Sequence, residues 1–255
     1  MTDLPGSFLT VPLAHRGLHD VAAGRPENSR AAIAAAISHG YGIEVDLQPS
    51  RDNAAMVFHD YDLERLTSRP GAIRDYDAAQ LSTFALNGGD EGIPTLTKIL
   101  DQVAGQVPVL LELKDQHGQM GPSDGLLEAA TARALKRYSG PVAVMSFNPH
   151  MVATLAKLLP HVPRGLVTGG YRVENWPELT EEIRTYLRGI PDYQSSGACF
   201  ISHNFQDLDR PRVSELKALG ADVLCWTVRA PEEAELARRI AANITFENYL
   251  PPIDA

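Results

Sequence analysis

Seven residues whose side chains can ionise, bind a metal or carry a proton stand at the ends of short apolar runs in this chain. They are His15, Arg16, Glu44, Asp46, His59, Glu112 and Lys114. Glu44 and Asp46 are two positions apart, as are Glu112 and Lys114, so a β-strand would turn each pair toward one face. Burying this many charges without partners would be very costly. We therefore expect these side chains to bind one another, a metal ion or a charged ligand.

Three of the seven are carboxylates, on Glu44, Asp46 and Glu112. Carboxylate oxygens are the ligands that hard divalent cations prefer, whereas zinc would favour more His or Cys. The three residues therefore predict one divalent metal ion, Mg²⁺ or Ca²⁺, without choosing between the two. Arg16 and Lys114 cannot ligate a metal while charged, but both suit an anionic phosphate, arginine as a fork and lysine as a point charge.

His15 and His59 are the members of the set that can exchange protons near neutral pH. A metal, two cations and two imidazoles around one cavity predict a phosphoryl-transfer site in which the histidines divide the acid and base roles. Alone, each residue has a structural alternative, such as Lys114 pairing with Asp115 or Glu112, and the coincidence of all seven favours the site. The pattern leaves open which histidine is the base and whether a cyclic phosphate forms first.

Short apolar runs alternate with helix-period segments along the chain. Predicted strands lie at residues 13–17, 42–48, 108–114, 142–147, 165–169, 199–205, 222–228 and 243–247. Predicted helices lie at residues 29–39, 96–103, 125–138, 149–159, 179–187, 212–219 and 231–241. Strands alternating with helices imply parallel βαβ units, and eight of them in about 250 residues imply an α/β fold, a closed (β/α)8 TIM barrel, with an open doubly wound sheet as the alternative. In a barrel the seven residues would meet at the functional, C-terminal face.

Two segments depart from this alternation. The connector 49–53 is too short for a helical crossover, so residues 54–58 should return as an antiparallel hairpin that brings His59 back to the barrel mouth. Asn53 tolerates the left-handed backbone that such a turn favours. The turn-rich segment 61–94 is predicted to be an insertion above the mouth, as part of a lid, within one barrel domain that spans residues 1–255.

Bulk composition narrows the classes of function. With 44% hydrophobic and 22% charged residues the composition is that of a globular protein, and the formal net charge of −9 argues against a nucleic-acid partner. The chain shows no run of about 18 apolar residues and no basic-then-apolar leader, so we expect a cytoplasmic protein without stable membrane association. Cys199 and Cys225 lie in apolar runs, as buried core thiols do. The composition does not indicate an oligomeric state.

An ordered set of motifs in the chain resembles the glycerophosphodiester phosphodiesterase family. The motifs are Ala14-His15-Arg16-Gly17, Pro26-Glu27-Asn28-Ser29, Glu44-x-Asp46, Phe58-His59-Asp60, Ile93-Pro94-Thr95-Leu96, Glu112-x-Lys114, Ser146-Phe147 and Trp226-Thr227-Val228. Each motif is weak alone, but the ordered set is specific and spans nearly the whole chain.

The resemblance implies a β/α barrel that uses Mg²⁺ or Ca²⁺ to hydrolyse glycerophosphodiesters to sn-glycerol 3-phosphate and an alcohol. By position it implies catalytic roles for His15 and His59, metal-binding roles for Glu44, Asp46 and Glu112, phosphate-contacting roles for Arg16 and Lys114, and a glyceryl-contacting role for Trp226. Phe147 is expected either to line the substrate pocket or to pack in the core. The head group of the substrate is not specified.

Some positions depart from the family pattern or carry weaker expectations. The last strand ends in Thr245-Phe-Glu-Asn248, where many members have a Thr-Asp-x-Pro-like sequence, so the role of Glu247 is open. Ser29 replaces the usual Thr. Glu27 and Asn28 could orient the site, but because Asn28-Ser29 immediately precedes an Ala-rich helix we favour a capping role. His203-Asn204 ends the sixth predicted strand, at the barrel mouth, and could contact substrate.

Two other functions remain open on sequence alone. A related barrel phosphodiesterase could act on lysophospholipid or sphingolipid diesters in a phospholipase D-like reaction, although the acidic balance and the polar segment 61–94 do not suit an anionic membrane surface. The other hypothesis is a non-catalytic binding barrel or a Schiff-base enzyme that uses Lys114. Against the latter, the neighbouring carboxylates would keep Lys114 protonated and a poor nucleophile.

Overall fold

Eight parallel strands close into a ring in the computed structural model, which describes residues 2–253. The strands are β1 (Leu13–Ala14), β2 (Gly42–Pro49), β3 (Ala55–Val57), β4 (Val109–Leu113), β5 (Val142–Ser146), β6 (Arg164–Thr168), β7 (Phe200–Asn204), β8 (Asp222–Val228) and β9 (Asn243–Phe246), with β3 outside the ring. The ring closes at β1, because Leu13 pairs in parallel with both Gly42 of β2 and Thr245 of β9. The predicted closed TIM barrel is confirmed, since an open doubly wound sheet would leave its two edges apart.

The hairpin after β2 has the predicted form. β3 runs antiparallel to the end of β2, with Val57 opposite Leu47 and Ala55 opposite Pro49. Asn53 in the connecting turn has a φ of 58°, in the left-handed region that asparagine tolerates. The hairpin therefore returns the chain, with His59 two residues beyond β3, to the carboxyl end of β2.

Nine helices are described, and most of them alternate with the strands of the ring and cover its outside. They are α1 (Ser7–Thr10), α2 (Arg30–Ser38), α3 (Ala78–Leu81), α4 (Leu96–Val103), α5 (Leu126–Leu135), α6 (Pro149–Leu158), α7 (Glu181–Arg188), α8 (Pro211–Ala218) and α9 (Pro231–Ala237). Seven of them match predicted helices to within a few residues. The other two, α1 and α3, are single turns of four residues, too short for a helical periodicity to be read.

Apolar side chains fill the barrel interior from its N-terminal end. Leu110 and Met145 lie in the ring, and Phe8 of α1 packs with them at that end. Gly165 makes room for the ring of Phe200, because a Cβ at Gly165 would overlap that ring. A separate apolar layer fills the space between the ring and the helices. Because the N-terminal end is filled, the polar side chains of the strands meet at the C-terminal end.

The segment 61–94 packs around an apolar cluster of its own. Leu63, Ile73 and Leu81 are buried there against Phe58, which follows β3. A lid function for this segment stays a prediction. None of the described helices is long and apolar enough to cross a membrane.

Candidate active site

Glu44, Asp46 and Glu112 converge at the C-terminal end of the barrel. The parallel register of β2 and β4 sets Asp46 beside Glu112, and Glu44 precedes Asp46 by two residues on the same face. All three are buried, and one carboxylate oxygen from each lies within 4.8 Å of the others. Oε1 of Glu44 is shielded from solvent and has no hydrogen-bond partner among residues 2–253. A buried oxygen without a partner beside two further carboxylates fits a hard divalent cation.

The pKa values of the two carboxylates of β2 are shifted in opposite directions. Burial, together with the charges of Asp46 and Glu112, raises the pKa of Glu44 well above its usual range. Burial also disfavours ionised Asp46, but the positive charges around it, led by Lys114, hold its pKa well below the usual range. Repulsion between the carboxylates is what a divalent cation would relieve.

Arg16 reaches the carboxylates from the loop after β1. Its backbone N–H donates to Oε2 of Glu44 at 3.0 Å, and its Nε lies 3.4 Å from Oδ2 of Asp46. The loop is tight: Arg16 itself has a φ of 56°, and Gly17 has a φ of 76°. A Cβ at Gly17 would come within 3.0 Å of the backbone of Ala32 in α2, so this position requires glycine.

Lys114 follows β4 and approaches the same carboxylates. Its Nζ lies 2.7 Å from Oε1 of Glu112 and 3.3 Å from Oδ1 of Asp46. Burial disfavours the charged amine, but these two carboxylates outweigh it and raise the pKa of Lys114 above its usual value. The side chain is therefore held cationic, which suits an anionic ligand and not Schiff-base chemistry.

His15 is held by a residue from the opposite end of the chain. Its Nδ1 lies 2.7 Å from Oε2 of Glu247, the residue after β9, and its Nε2 lies 4.0 Å from Oε2 of Glu44. Oε1 of Glu247 accepts from Nε of Arg229 at 2.6 Å. Burial is the main cause that lowers the pKa of His15, and the hydrogen bond to Glu247 works against it. The contact answers the question that the sequence left open for Glu247.

His59, like His15, has a carboxylate partner at its Nδ1. Its Nδ1 lies 2.6 Å from Oδ1 of Asp60, and its carbonyl accepts from Nε2 of Gln48 at 3.2 Å. When Nδ1 of a neutral histidine donates to a carboxylate, Nε2 is the free acceptor. His15 and His59 thus share one arrangement, with Nδ1 bound to a carboxylate and Nε2 available.

Arg65, in the segment 61–94, connects two of these elements. Its guanidinium donates to both oxygens of Asp60, at 2.5 and 2.8 Å, and to both oxygens of Glu27, at 2.9 and 3.0 Å. Oε1 of Glu27 also accepts from Arg16 at 2.7 Å. The sequence analysis did not single out Arg65, and no spacing pattern marks it, because its partners lie 5 and 38 residues away.

Asn28 does not cap α2, so the expectation of a capping role for it is wrong. Ser29 does cap the helix, accepting from the N–H of Ala32. The side chain of Asn28 instead donates to Oδ2 of Asp46 at 3.0 Å and accepts from the backbone N–H of Asp46 at 3.3 Å. Its φ of 59° lies in the left-handed region, which asparagine tolerates and which directs the chain away from a helical start. Asn28 therefore orients a carboxylate of the site.

A cavity of about 510 Å³ opens beside the carboxylates. His59, Glu112 and Lys114 line part of its wall, and the rings of Phe147 and Trp226 line another part, with their centroids 5.5 Å apart in an edge-on contact. Further aromatic and apolar lining comes from Met120, Tyr61, Tyr171 and Trp176. Phe147 thus faces the cavity and also packs against neighbouring rings, and its contact with substrate stays a prediction.

His203 does not face a ligand. It is 1% exposed, its Nδ1 lies 2.7 Å from Oγ1 of Thr168, and its Nε2 lies 3.1 Å from the carbonyl of Asp207. Both ring nitrogens are used inside the protein, which argues against a substrate contact at His203. Asn204, the other residue of the pair, does line the cavity, and its contact with substrate stays a prediction.

The ring and the residues at its mouth define a class, the TIM barrels that carry acidic, cationic and histidine side chains at the C-terminal face. The match to a family model is more specific. The chain belongs to the glycerophosphoryl diester phosphodiesterase family, whose model matches residues 15–246.

Curated relatives and solved structures agree with this assignment. A glycerophosphodiester phosphodiesterase of Caldanaerobacter subterraneus is 29% identical over 66% of this chain and 70% of that protein, and one of Bacillus subtilis is 25% identical over 81% of this chain and 73% of that protein. The structure of an Oleispira antarctica phosphodiesterase, in complex with its product sn-glycerol-3-phosphate, superposes with a TM-score of 0.77 and 25% identity, covering 95% of this chain and 94% of that one. A family structure from Thermotoga maritima, 20% identical with a TM-score of 0.69 and covering 92% of this chain and 94% of that one, shares the fold.

Proposed function

We propose that this enzyme hydrolyses glycerophosphodiesters to sn-glycerol 3-phosphate and an alcohol, in a reaction that requires one divalent metal ion and two histidines. The observation that carries the proposal is the convergence of Glu44, Asp46 and Glu112 between two cations at the barrel mouth. The product held by the Oleispira antarctica relative supports the substrate class.

The carboxylates of Glu44, Asp46 and Glu112 would hold the metal. The unpartnered buried oxygen of Glu44 and the all-oxygen donor set fit Mg²⁺ or Ca²⁺ better than zinc. An ion bound there would stabilise the negative charge that develops on a non-bridging phosphate oxygen. Arg16 and Lys114, held in place by the same carboxylates, would bind the phosphate in both the ground state and the transition state.

His15 and His59 would exchange the protons. Glu247 and Asp60 fix their Nδ1 atoms, so Nε2 of each ring is the atom that takes or gives a proton. One histidine would activate the attacking oxygen, and the other would protonate the leaving alcohol. Attack by water would give glycerol 3-phosphate directly, whereas attack by the glycerol 2-hydroxyl would give a cyclic phosphate that water would then open, with the two histidines exchanging roles. Phe147 and Trp226 would pack against the glyceryl part of the substrate in the cavity.

A product assay tests the proposal. Enzyme stripped with EDTA is assayed on glycerophosphocholine, glycerophosphoethanolamine, glycerophosphoglycerol, glycerophosphoinositol and a lysophospholipid, before and after Mg²⁺ or Ca²⁺ is restored. Glycerol 3-phosphate is measured for the glycerophosphodiesters, and lysophosphatidic acid with the free head-group alcohol for the lysophospholipid. We expect release of glycerol 3-phosphate only with metal. Full activity after thorough chelation contradicts the metal requirement, and turnover of the lysophospholipid alone favours the lipid-acting alternative.

Histidine variants test the second half of the proposal. His15→Ala and His59→Ala should each lower kcat by about 10²–10⁴, the usual contribution of positioned proton transfer. Because both serve one reaction, the double variant should lose much less than the product of the two losses. A single variant that keeps near-normal kcat on a diester with a poor leaving group would show that its histidine is structural.

A further inference from the structure

One guanidinium joins two carboxylates that hold different parts of the site. Arg65 donates four hydrogen bonds of 2.5–3.0 Å, two to Asp60 and two to Glu27. Asp60 in turn accepts from Nδ1 of His59 at 2.6 Å, and Glu27 accepts from the guanidinium of Arg16 at 2.7 Å. A continuous path of hydrogen bonds therefore runs from His59 to Arg16 through Arg65.

The path spans two segments that are not paired with each other as strands. Arg16 and Glu27 belong to the loops between β1 and α2, whereas His59 and Asp60 follow the hairpin strand β3, which lies outside the ring. β3 pairs with β2 and not with β1, so the backbone relates its end to the loop after β1 through β2, which accepts from Gly17 at Glu44 and from Phe58 at Asp46. The contacts of Arg65 add a direct link between the side chains that these segments carry.

Stability alone does not account for this arrangement. The side chain of Arg65 is 48% exposed, and ion pairs this open to solvent add little to folding. The geometry, by contrast, is demanding, because a planar fork binds two carboxylates in a way that a lysine ammonium cannot reproduce. What the four bonds fix is the position of two carboxylates.

We propose that Arg65 is a positioning residue that sets the placement of the His59 imidazole relative to the Arg16 guanidinium, through Asp60 and Glu27. The inference rests on the proposed function of these two residues. When a substrate phosphate is bound by Arg16, Arg65 keeps Nε2 of His59 at the distance and angle that proton transfer needs. Loss of such placement lowers turnover although no contact to substrate is removed.

The test uses Arg65→Met and Arg65→Lys, with Arg51→Met as a matched control. Arg51 makes a similar two-bond pair, at 2.7 and 2.9 Å, to Asp77, and neither of these two residues lines the cavity beside the carboxylates. We expect Arg65→Met to lower kcat/KM by about 10²-fold, with kcat falling through His59 and KM rising through Arg16. Arg65→Lys should recover part of this loss, whereas Arg51→Met should keep wild-type kcat and KM. Circular dichroism and Tm check that each variant folds.

A double-variant cycle separates positioning from general disturbance. If Arg65 acts on kcat through His59, then His59→Ala with Arg65→Met should have the same kcat as His59→Ala alone. Independent losses that multiply would overturn the proposal, and so would wild-type kcat and KM in Arg65→Met. Should Arg65→Met fail to fold, Arg65→Lys in the same cycle gives the same decision.

The outcome for Arg65 is distinguishable from the outcome for the site itself. Wild-type activity in Arg65→Met, with activity lost in His59→Ala and Arg16→Ala, overturns the positioning role and leaves the proposed function intact. Full activity in His59→Ala and Arg16→Ala overturns the proposed function, whatever Arg65 does.

Discussion

Nδ1 of His15 lies 2.7 Å from Oε2 of Glu247, a residue 232 positions later in the chain. The contact depends on closure of the ring between β1 and β9, which brings the first and last strands side by side. Glu247→Gln should keep the shape of this contact but remove the charge that favours a donating Nδ1–H. We expect kcat to fall by about tenfold to a thousandfold with little change in KM, because an unfixed tautomer impairs proton transfer. Steady-state kinetics on a glycerophosphodiester measure both constants.

Glu233→Gln is the control for this change. The carboxylate of Glu233 also contacts Arg229, since it accepts from the backbone N–H of Arg229, and it makes no described contact with His15. Glu233→Gln should therefore behave as wild type. Wild-type kcat in Glu247→Gln would mean that His15 needs no partner for its function.

Repulsion among the three buried carboxylates should lower the stability of the metal-free protein, whereas the same three carboxylates favour metal binding. Glu44→Gln replaces a carboxyl group whose ionised form is disfavoured, because burial and its acidic neighbours raise its pKa. The metal-free variant should therefore melt about 2–4 °C higher, the shift that about 1 kcal/mol produces in a protein of this size. Its affinity for Mg²⁺ and Ca²⁺, measured by calorimetry, should fall at least tenfold, since one ligand charge is lost.

Glu235→Gln, at an exposed position on α9, controls for the general effect of removing a carboxylate. It should change neither the Tm of the metal-free protein nor the affinity for either ion. Unchanged metal affinity in Glu44→Gln would exclude Glu44 from the metal site.

Binding of the phosphate and binding of the glyceryl group should separate in kinetics. Trp226→Ala should raise KM for glycerophosphodiesters but scarcely affect an artificial phosphodiester without glycerol. Arg16→Ala should impair both substrates, and Arg16→Lys should recover a part, because a point charge cannot replace the guanidinium fork. Measurement of kcat/KM for each variant on both substrates decides the matter. Equal losses on the two substrates for Trp226→Ala would make the indole a packing residue.

The lowered pKa of Asp60 predicts that its carboxylate stabilises the folded protein at neutral pH and that this stabilisation is lost in acid. Burial disfavours its ionised form, but hydrogen bonds from His59 and Arg65 outweigh this and hold the pKa of Asp60 below its usual value. A depressed folded-state pKa stabilises the protein above the unfolded-state pKa, about 3.9, and this stabilisation is lost as the pH falls below it. Wild-type Tm should therefore drop more steeply than that of Asp60→Asn below about pH 4, while Asp60→Asn should melt lower at pH 7. Parallel Tm curves for the two proteins would contradict this linkage.

The sequence by itself determined the barrel and most of the groups at its mouth. Two-residue spacing decides that Glu44 and Asp46 share a face, because alternation in a strand is local. A short connector with Asn53 decides the hairpin, because no helical crossover fits into it. Strands that alternate with helices decide the parallel ring, and polar residues at strand ends mark its functional face.

Tertiary structure decided which side chains hold these groups in place. Glu247 meets His15 because the ring closes, and closure joins residues at the two ends of the chain. Asn28 binds Asp46 instead of capping α2, because its left-handed backbone turns it toward β2. Arg65 reaches two carboxylates from an irregular segment, where no periodicity constrains side-chain direction. Local spacing fixes which face a residue occupies, but contacts between distant segments depend on how the whole chain packs.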